Sequence, residues 1–155
     1  MDIPKPLQKV IDKAAELNAE VKAVGLESFK ELLKGFFAAH PIVVRLRWTQ
    51  YTPHFNDGDP CTFSVNEPEV EVLDKILLAK RKPNGYPDED QYSVKGEFVD
   101  AWSIKGEHKD LAASLDEIHV LFQRIEDVMN AVFGDGVEVT VTRDGEIDID
   151  DYDHD

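Results

Sequence analysis

The sequence predicts an α+β domain, with an antiparallel sheet of about four or more strands in two hairpins packed against N-terminal helices and one long helix in the C-terminal half. Three observations predict it. Apolar residues recur at helical spacing from Leu7 to Phe37 and again from Leu111 to Val132; side chains alternate over "IVVRLRWTQY", "CTFSV" and "VEVTV"; and a turn-forming Asp144-Gly145 separates two alternating runs near the end.

Pro4 and Pro6 open the first helix, because the first turn has no use for the missing N–H. Leu7, Val10, Ile11, Ala14, Leu17 and Val21 form its apolar side, with Lys9, Lys13, Glu16, Glu20 and Lys22 opposite. Gly25 is expected to end or kink it. A second helix is expected from about Glu27 to Ala39, with Phe29, Leu32, Leu33, Phe36 and Phe37 as its stripe and His40-Pro41 as its stop.

The next run switches to a period of two. Val44, Leu46 and Trp48 are expected to point inward and Arg45, Arg47 and Thr49 outward; in "CTFSV", Cys61, Phe63 and Val65 take the inward side. The intervening "TPHFNDGDP" is too long for a two-residue turn and reads as an ordered loop at a hairpin end. "EVEVLDKILLAKR" reads as further strand, "KPNGYPDEDQ" as loop, and "QYSVKGEFVDAWSI" as one or two strands of poor period.

From Asp110 to Phe133, Leu111, Leu115, Ile118, Phe122, Ile125, Met129 and Val132 alternate steps of four and three. "SLDE" has capping-box spacing and Gly134 sits where a C-terminal cap belongs. With a sheet available, this stripe is expected to lie on it; a helix-mediated homodimer is the alternative.

Register decides the last hairpin. A two-residue Asp144-Gly145 loop mixes apolar and acidic side chains on both faces, whereas a three-residue loop, Arg143-Asp144-Gly145, sets Val141 opposite Ile147 and Val139 opposite Ile149. The second is expected, with Gly145 left-handed. Its outer face then carries Glu138, Glu146, Asp148 and Asp150, a ladder of like charge that costs roughly a few tenths of a kcal/mol per facing pair.

The chain of 155 residues reads as a single domain, 1–155, long enough to bury roughly 70% of its unfolded surface. It carries 17 Lys and Arg against 32 Asp and Glu, a net charge of −15. The imbalance is local: residues 1–50 hold eight basic and six acidic residues, and residues 51–155 hold nine and 26. Such a surface repels nucleic acid and lipid headgroups and attracts a basic protein or a cation. No run reaches the ~18 apolar residues of a membrane helix, and "MDIPKPLQKV" lacks a signal-peptide pattern. A lone Cys61 fits a reducing compartment, so a cytoplasmic location is expected.

The strings "RWTQYTPHFNDGDPCTFSVNE", "IEDVMNAVFGD" and "FGDGVEVTVTRDGEIDIDDYDHD" carry a likeness. Over residues 40–66 and 117–155 the chain resembles a group of small acidic proteins encoded by tailed bacteriophages, while residues 69–108 match nothing in that group. The resemblance implies a phage accessory protein that manipulates or evades its bacterial host, working in the host cytoplasm. It implies no catalytic residue.

Candidate chemistry is sparse. His54, Asp57, Asp59 and Cys61 form H-x-x-D-x-D-x-C, but zinc sites repeat close Cys or His pairs, and Asn56, Asp57, Gly58 and Asp59 also read as turn formers. "DGEIDIDDYDHD" has its glycine at the wrong place for an EF-hand. Cys61 alternates with apolar neighbours, as inert packing does. No nucleophile elbow, phosphate loop or dinucleotide fingerprint occurs. Arg45, Arg47 and Tyr51 share a strand face and Lys80-Arg81-Lys82 is one basic knot, but the net charge opposes direct nucleic-acid binding, so these bases are read as partners for acidic strands.

The expectation is therefore a non-enzymatic protein without metal or cofactor. It binds and inhibits a basic host protein of nucleic-acid handling or defence through Glu138, Glu146, Asp148, Asp150, Asp151, Tyr152 and Asp153. Every second strand residue lies about 6.5 to 7 Å along, near a nucleic-acid phosphate repeat, so such a face can imitate nucleic acid. A possible recognition loop holds Tyr51, His54, Phe55, Asp57 and Asp59. The alternatives are a self-associating virion or assembly component using the 110–133 helix, and a small metal-dependent enzyme centred on His54, Asp57 and Asp59.

Overall fold

The computed structural model describes residues 2–53, 58, 61–73, 77–78, 91–92, 96–104 and 108–152. In chain order the elements are helix α1 (Lys5–Ala39), strands β1 (Val43–Tyr51), β2 (Ser64–Val65), β3 (Glu69–Val72), β4 (Leu77–Leu78), β5 (Gln91–Tyr92) and β6 (Phe98–Asp100), a 3-10 turn (Ala101–Ser103), helices α2 (Lys109–Arg124) and α3 (Glu126–Phe133), and strands β7 (Val137–Thr142) and β8 (Ile147–Asp151). The main sheet has six strands in the order β6-β3-β1-β7-β8, with β2 also pairing β1, and every pairing is antiparallel. The α+β class is as expected. β4 and β5 pair separately, so the run after Glu69 leaves the main sheet at Val72 and does not continue as one strand.

Helices α1, α2 and α3 cover one face of the sheet. Phe29, Leu33, Phe36 and Phe37 of α1, Leu111, Leu115, Ile118 and Phe122 of α2, and Met129, Val132 and Phe133 of α3 meet Leu46, Trp48, Val70, Val139 and Val141 in one core. Phe122 and Phe133 flank Trp48 at ring distances of 4.8 and 5.4 Å, in the tilted and edge-on geometries that aromatic rings prefer.

Several expectations change. The two N-terminal helices are one, because Gly25 remains helical and serves a close approach: a Cβ there would lie 2.6 Å from Val132 Cγ2. The single helix expected over 110–133 is two, broken at Ile125, whose φ of −121° and ψ of 34° leave the helical region. The break re-aims the stripe so that Phe122 and Met129 are both fully buried. Six of the seven stripe residues are buried in this chain's own core, and Ile125 is half-buried against it. "SLDE" caps no helix: α2 starts at Lys109, and Ser114 Oγ instead hydrogen-bonds His40 Nε2 at 2.8 Å. In β1 it is Val43, not Val44, that is buried, because the β1–β3 ladder shifts register between Val43 and Arg45 and reverses the alternation there.

The second hairpin stands as expected. Val141 faces Ile147, Val139 faces Ile149 and Glu138 faces Asp150. Gly145, at φ 90°, donates its N–H to Thr142 O at 3.0 Å, and Thr142 N–H bonds Glu146 O at 2.9 Å, closing a three-residue loop. Gly134, at φ 100°, ends α3 by donating to Asn130 O.

Candidate acidic interaction face

The face of the sheet opposite the helices divides by charge. On its β1–β3–β6 side, Arg45 pairs with Glu71, Arg47 lies 3.4 Å from Glu69, and both guanidinium groups stand over the Phe98 ring, at 5.0 and 4.0 Å from its centroid. The bases of β1 are thus matched by the acids of β3. Planar guanidinium groups suit this arrangement, since they bond carboxylates while stacking on an aromatic face.

On the β7–β8 side no such matching occurs. Register and alternation put Glu138, Glu146, Asp148 and Asp150 on this face, with Glu138 directly across from Asp150 and Asp148 across from Thr140. Glu146, Asp148 and Asp150 are exposed. Among the described residues none of the four makes an ion pair. Residues 135–155 contain one base, Arg143, and its guanidinium is committed elsewhere. It donates to the carbonyls of Phe37 (2.8 Å) and His40 (2.6 Å) at the C-terminal end of α1 and of Val43 (2.7 and 3.0 Å) at the start of β1. This guanidinium is spent on backbone carbonyls between α1 and β1, and among the described residues no cation pairs with the four carboxylates.

Tyr152 closes the end of this face. Its N–H bonds Gly136 O at 2.8 Å and its ring stacks on Tyr51, 5.6 Å between centroids at 28°. Beside it, Asp135 accepts from Thr52 N–H (2.8 Å) and Thr52 Oγ1 (2.7 Å), fastening the start of the loop after β1 to the turn before β7. One expected site residue from the loop, Tyr51, and one from the acidic strand, Tyr152, are therefore brought together.

Asp151 departs from the set. It is paired with Val137, whose side chain enters the core, so alternation turns Asp151 to the helix side of the sheet, exposed at its edge. Asp153, His54, Phe55, Asp57 and Asp59 lie outside the described residues, as does the 80–82 basic knot. Cys61 is half-buried rather than fully inward, while Val65 is buried in the core and Phe63, partly buried, packs against it. Among the described residues no group of three or more His, Cys, Asp or Glu side chains is placed to hold a metal ion, and no helix is long and apolar enough to cross a membrane.

Sequence reasoning missed two features. Phe98, set in a run of poor period, proves to be the platform for both arginines of β1. The stripe at the start of α1 was legible as apolar, but it was not read as standing outside the core, where residues 2–24 are exposed. No family model, curated protein or solved structure matches the chain.

Proposed function

We propose that this protein is a non-enzymatic phage accessory protein that binds and inhibits a basic, nucleic-acid-handling or defence protein of the bacterial host through the outer face of β7 and β8. The observation that carries the reading is the pairing pattern on that sheet face. Arg45 and Arg47 are matched by Glu71 and Glu69, Arg143 is drawn to the end of α1, and Glu138, Glu146, Asp148 and Asp150 form a grid that no cation among the described residues neutralises. Facing pairs across strands and alternate residues along them space these carboxylates by about 5 and 7 Å. A groove that binds phosphates through Lys and Arg meets the same sign of charge at comparable intervals. The Tyr51–Tyr152 stack supplies an aromatic surface at one end of the grid, of the kind enriched at protein interfaces.

Capture from bacterial lysate on the immobilised chain tests this, with elution by rising salt and competition by duplex DNA. Charge screening shortens to about 3 Å at 1 M salt, so a nucleic-acid imitator releases its target across the series and also yields it to DNA. The triple variant Glu138→Lys, Asp148→Lys, Asp150→Lys should abolish capture while the melting temperature holds or rises. Retention of the same target by that variant would overturn the proposal.

A further inference from the structure

The first five turns of α1 stand apart from the core. Residues 2–24 are exposed without exception, and burial begins only at Gly25 and Leu26. At a rise of about 1.5 Å per residue, this free portion extends roughly 30 Å. Its apolar residues are not scattered. Ile3, Leu7, Val10, Ala14, Leu17, Val21 and Val24 follow steps of four and three throughout, and the six large ones are between 43% and 63% exposed. Most helical stability in proteins comes from packing an amphipathic face, and a strict period of 3.5 is the pattern of a helix that pairs with another helix.

Charge identifies the other helix. Residues 2–26 hold four lysines and four acids, neutral in a chain of net −15, so two copies can meet here without opposing their acidic surfaces. The charges lean oppositely along the helix: residues 2–14 hold Lys5, Lys9 and Lys13 against Asp2 and Asp12, net +1, and residues 15–26 hold Glu16 and Glu20 against Lys22, net −1. Antiparallel pairing lays the basic part on the acidic part of a second copy. With Leu7 opposite the partner's Val24, Val10 opposite the partner's Val21 and Ala14 opposite the partner's Leu17, all six stripe positions from 7 to 24 are filled, and Ile11, 44% exposed, flanks the stripe. The flanking positions then put Lys13 beside the partner's Glu20, twice by symmetry. Sliding by one heptad either way sets Lys13 against the partner's Lys13 or Glu20 against the partner's Glu20. Parallel pairing sets Lys13 beside the partner's Asn18 and forms no ion pair. Only the antiparallel register centred between residues 15 and 16 satisfies both patterns.

We infer that the exposed stripe of α1 pairs with the same stripe of a second copy as an antiparallel two-helix coil, making the protein a homodimer. The acidic faces of the two copies take no part in the contact, and this inference stands independently of what they bind.

Sedimentation velocity on the full chain should find a dimer at micromolar concentration. Leu17→Asp should convert it to a monomer with unchanged near-ultraviolet dichroism, because Leu17 is half exposed and lies outside the core cluster. Lys13→Glu should weaken the dimer at least tenfold, and Lys13→Glu with Glu20→Lys should restore it. For direction, in a Cys61→Ser background, Val10→Cys and Val21→Cys chains should form a disulfide when mixed and neither should when alone. In the inferred register two Val10 positions lie about 16 Å apart, beyond the roughly 7 Å a disulfide can span. A monomeric wild-type chain, which would leave the stripe to a different protein, overturns the inference. So does a dimer indifferent to Leu17→Asp, or efficient cross-linking of Val10→Cys to itself.

Discussion

Gly25 of α1 and Val132 of α3 meet so closely that no side chain fits between them, a Cβ on residue 25 falling 2.6 Å from Val132 Cγ2. Val132 is only 2% exposed and belongs to the buried core. Two effects compete when alanine replaces this glycine. Helix propensity favours alanine by about 1 kcal/mol, and overpacking a filled core costs about 1 to 3 kcal/mol. The clash should win, so Gly25→Ala should destabilise the protein by roughly 1 kcal/mol in urea unfolding. In a double-mutant cycle with Val132→Ala the two changes should couple favourably, since the smaller side chain receives the new methyl. A Gly25→Ala variant more stable than the parent would show that α1 and α3 lie farther apart.

Gln50 is fully buried on the core side of β1 and all its bonding capacity toward the interior is used. Its Oε1 accepts from Trp48 Nε1 at 3.0 Å, and its Nε2 donates to the carbonyls of Met129 (3.0 Å) and Gly134 (2.7 Å). Gln50→Leu keeps the volume and strands one donor and two acceptors. At about 1 to 3 kcal/mol for each buried group left unpaired, the loss should reach roughly 3 kcal/mol. A shift in melting temperature of under two degrees would contradict it.

The same residues show what the sequence could and could not disclose. The β7–β8 register was legible because one face must be apolar, and a slip of one residue would put Val139 and Val141 in water. The class of fold followed from periodicity. Gln50 falls on the inward side with Leu46 and Trp48 by the same alternation, but the carbonyls that satisfy it there lie at the end of α3, more than 75 residues away, which no local pattern encodes. Gly25 was misread for a related reason: a glycine in a helix signals a break or a tight contact, and only the position of Val132 decides between them. Of the candidate site, the outward acids of β7 and β8 were readable from alternation, while the removal of Arg143 from among them was not, because its acceptors lie on α1 and β1.

Arg143 separates stability from binding. Arg143→Ala frees the carbonyls of Phe37, His40 and Val43 and removes a guanidinium lying 5.4 Å from the Phe37 ring. Because part of this site is exposed, water replaces some of the lost bonds, and the cost should be about 1 to 2 kcal/mol. Arg143→Lys should recover less than half of that, since one ammonium cannot reach three carbonyls in a fixed fork. Capture of a basic target by either variant should be no weaker than by the parent, measured at a temperature where both remain folded.

Stability should fall in mild acid, and His40 is a specific reason. At the end of α1 its Nε2 lies 2.8 Å from Ser114 Oγ and its ring 5.1 Å from that of Phe36. Burial pushes its pKa below the ordinary 6.5, and the nearby Asp110 carboxylate only partly opposes this. The unfolded chain, with an ordinary histidine, therefore binds more protons than the folded chain between the depressed value and 6.5. Stability from this group is fully present above 6.5 and is lost progressively as pH falls through that window. His40→Gln retains a partner for Ser114 without a titrating ring. Comparing urea midpoints of the two proteins between about pH 7.5 and 5 cancels the carboxylates they share. The parent should lose more stability than His40→Gln across that range, and Asp110→Asn should steepen the parent's loss by removing the charge that favours the imidazolium. Parallel curves for the parent and His40→Gln would mean that the ring is as well solvated in the folded protein as in the unfolded chain.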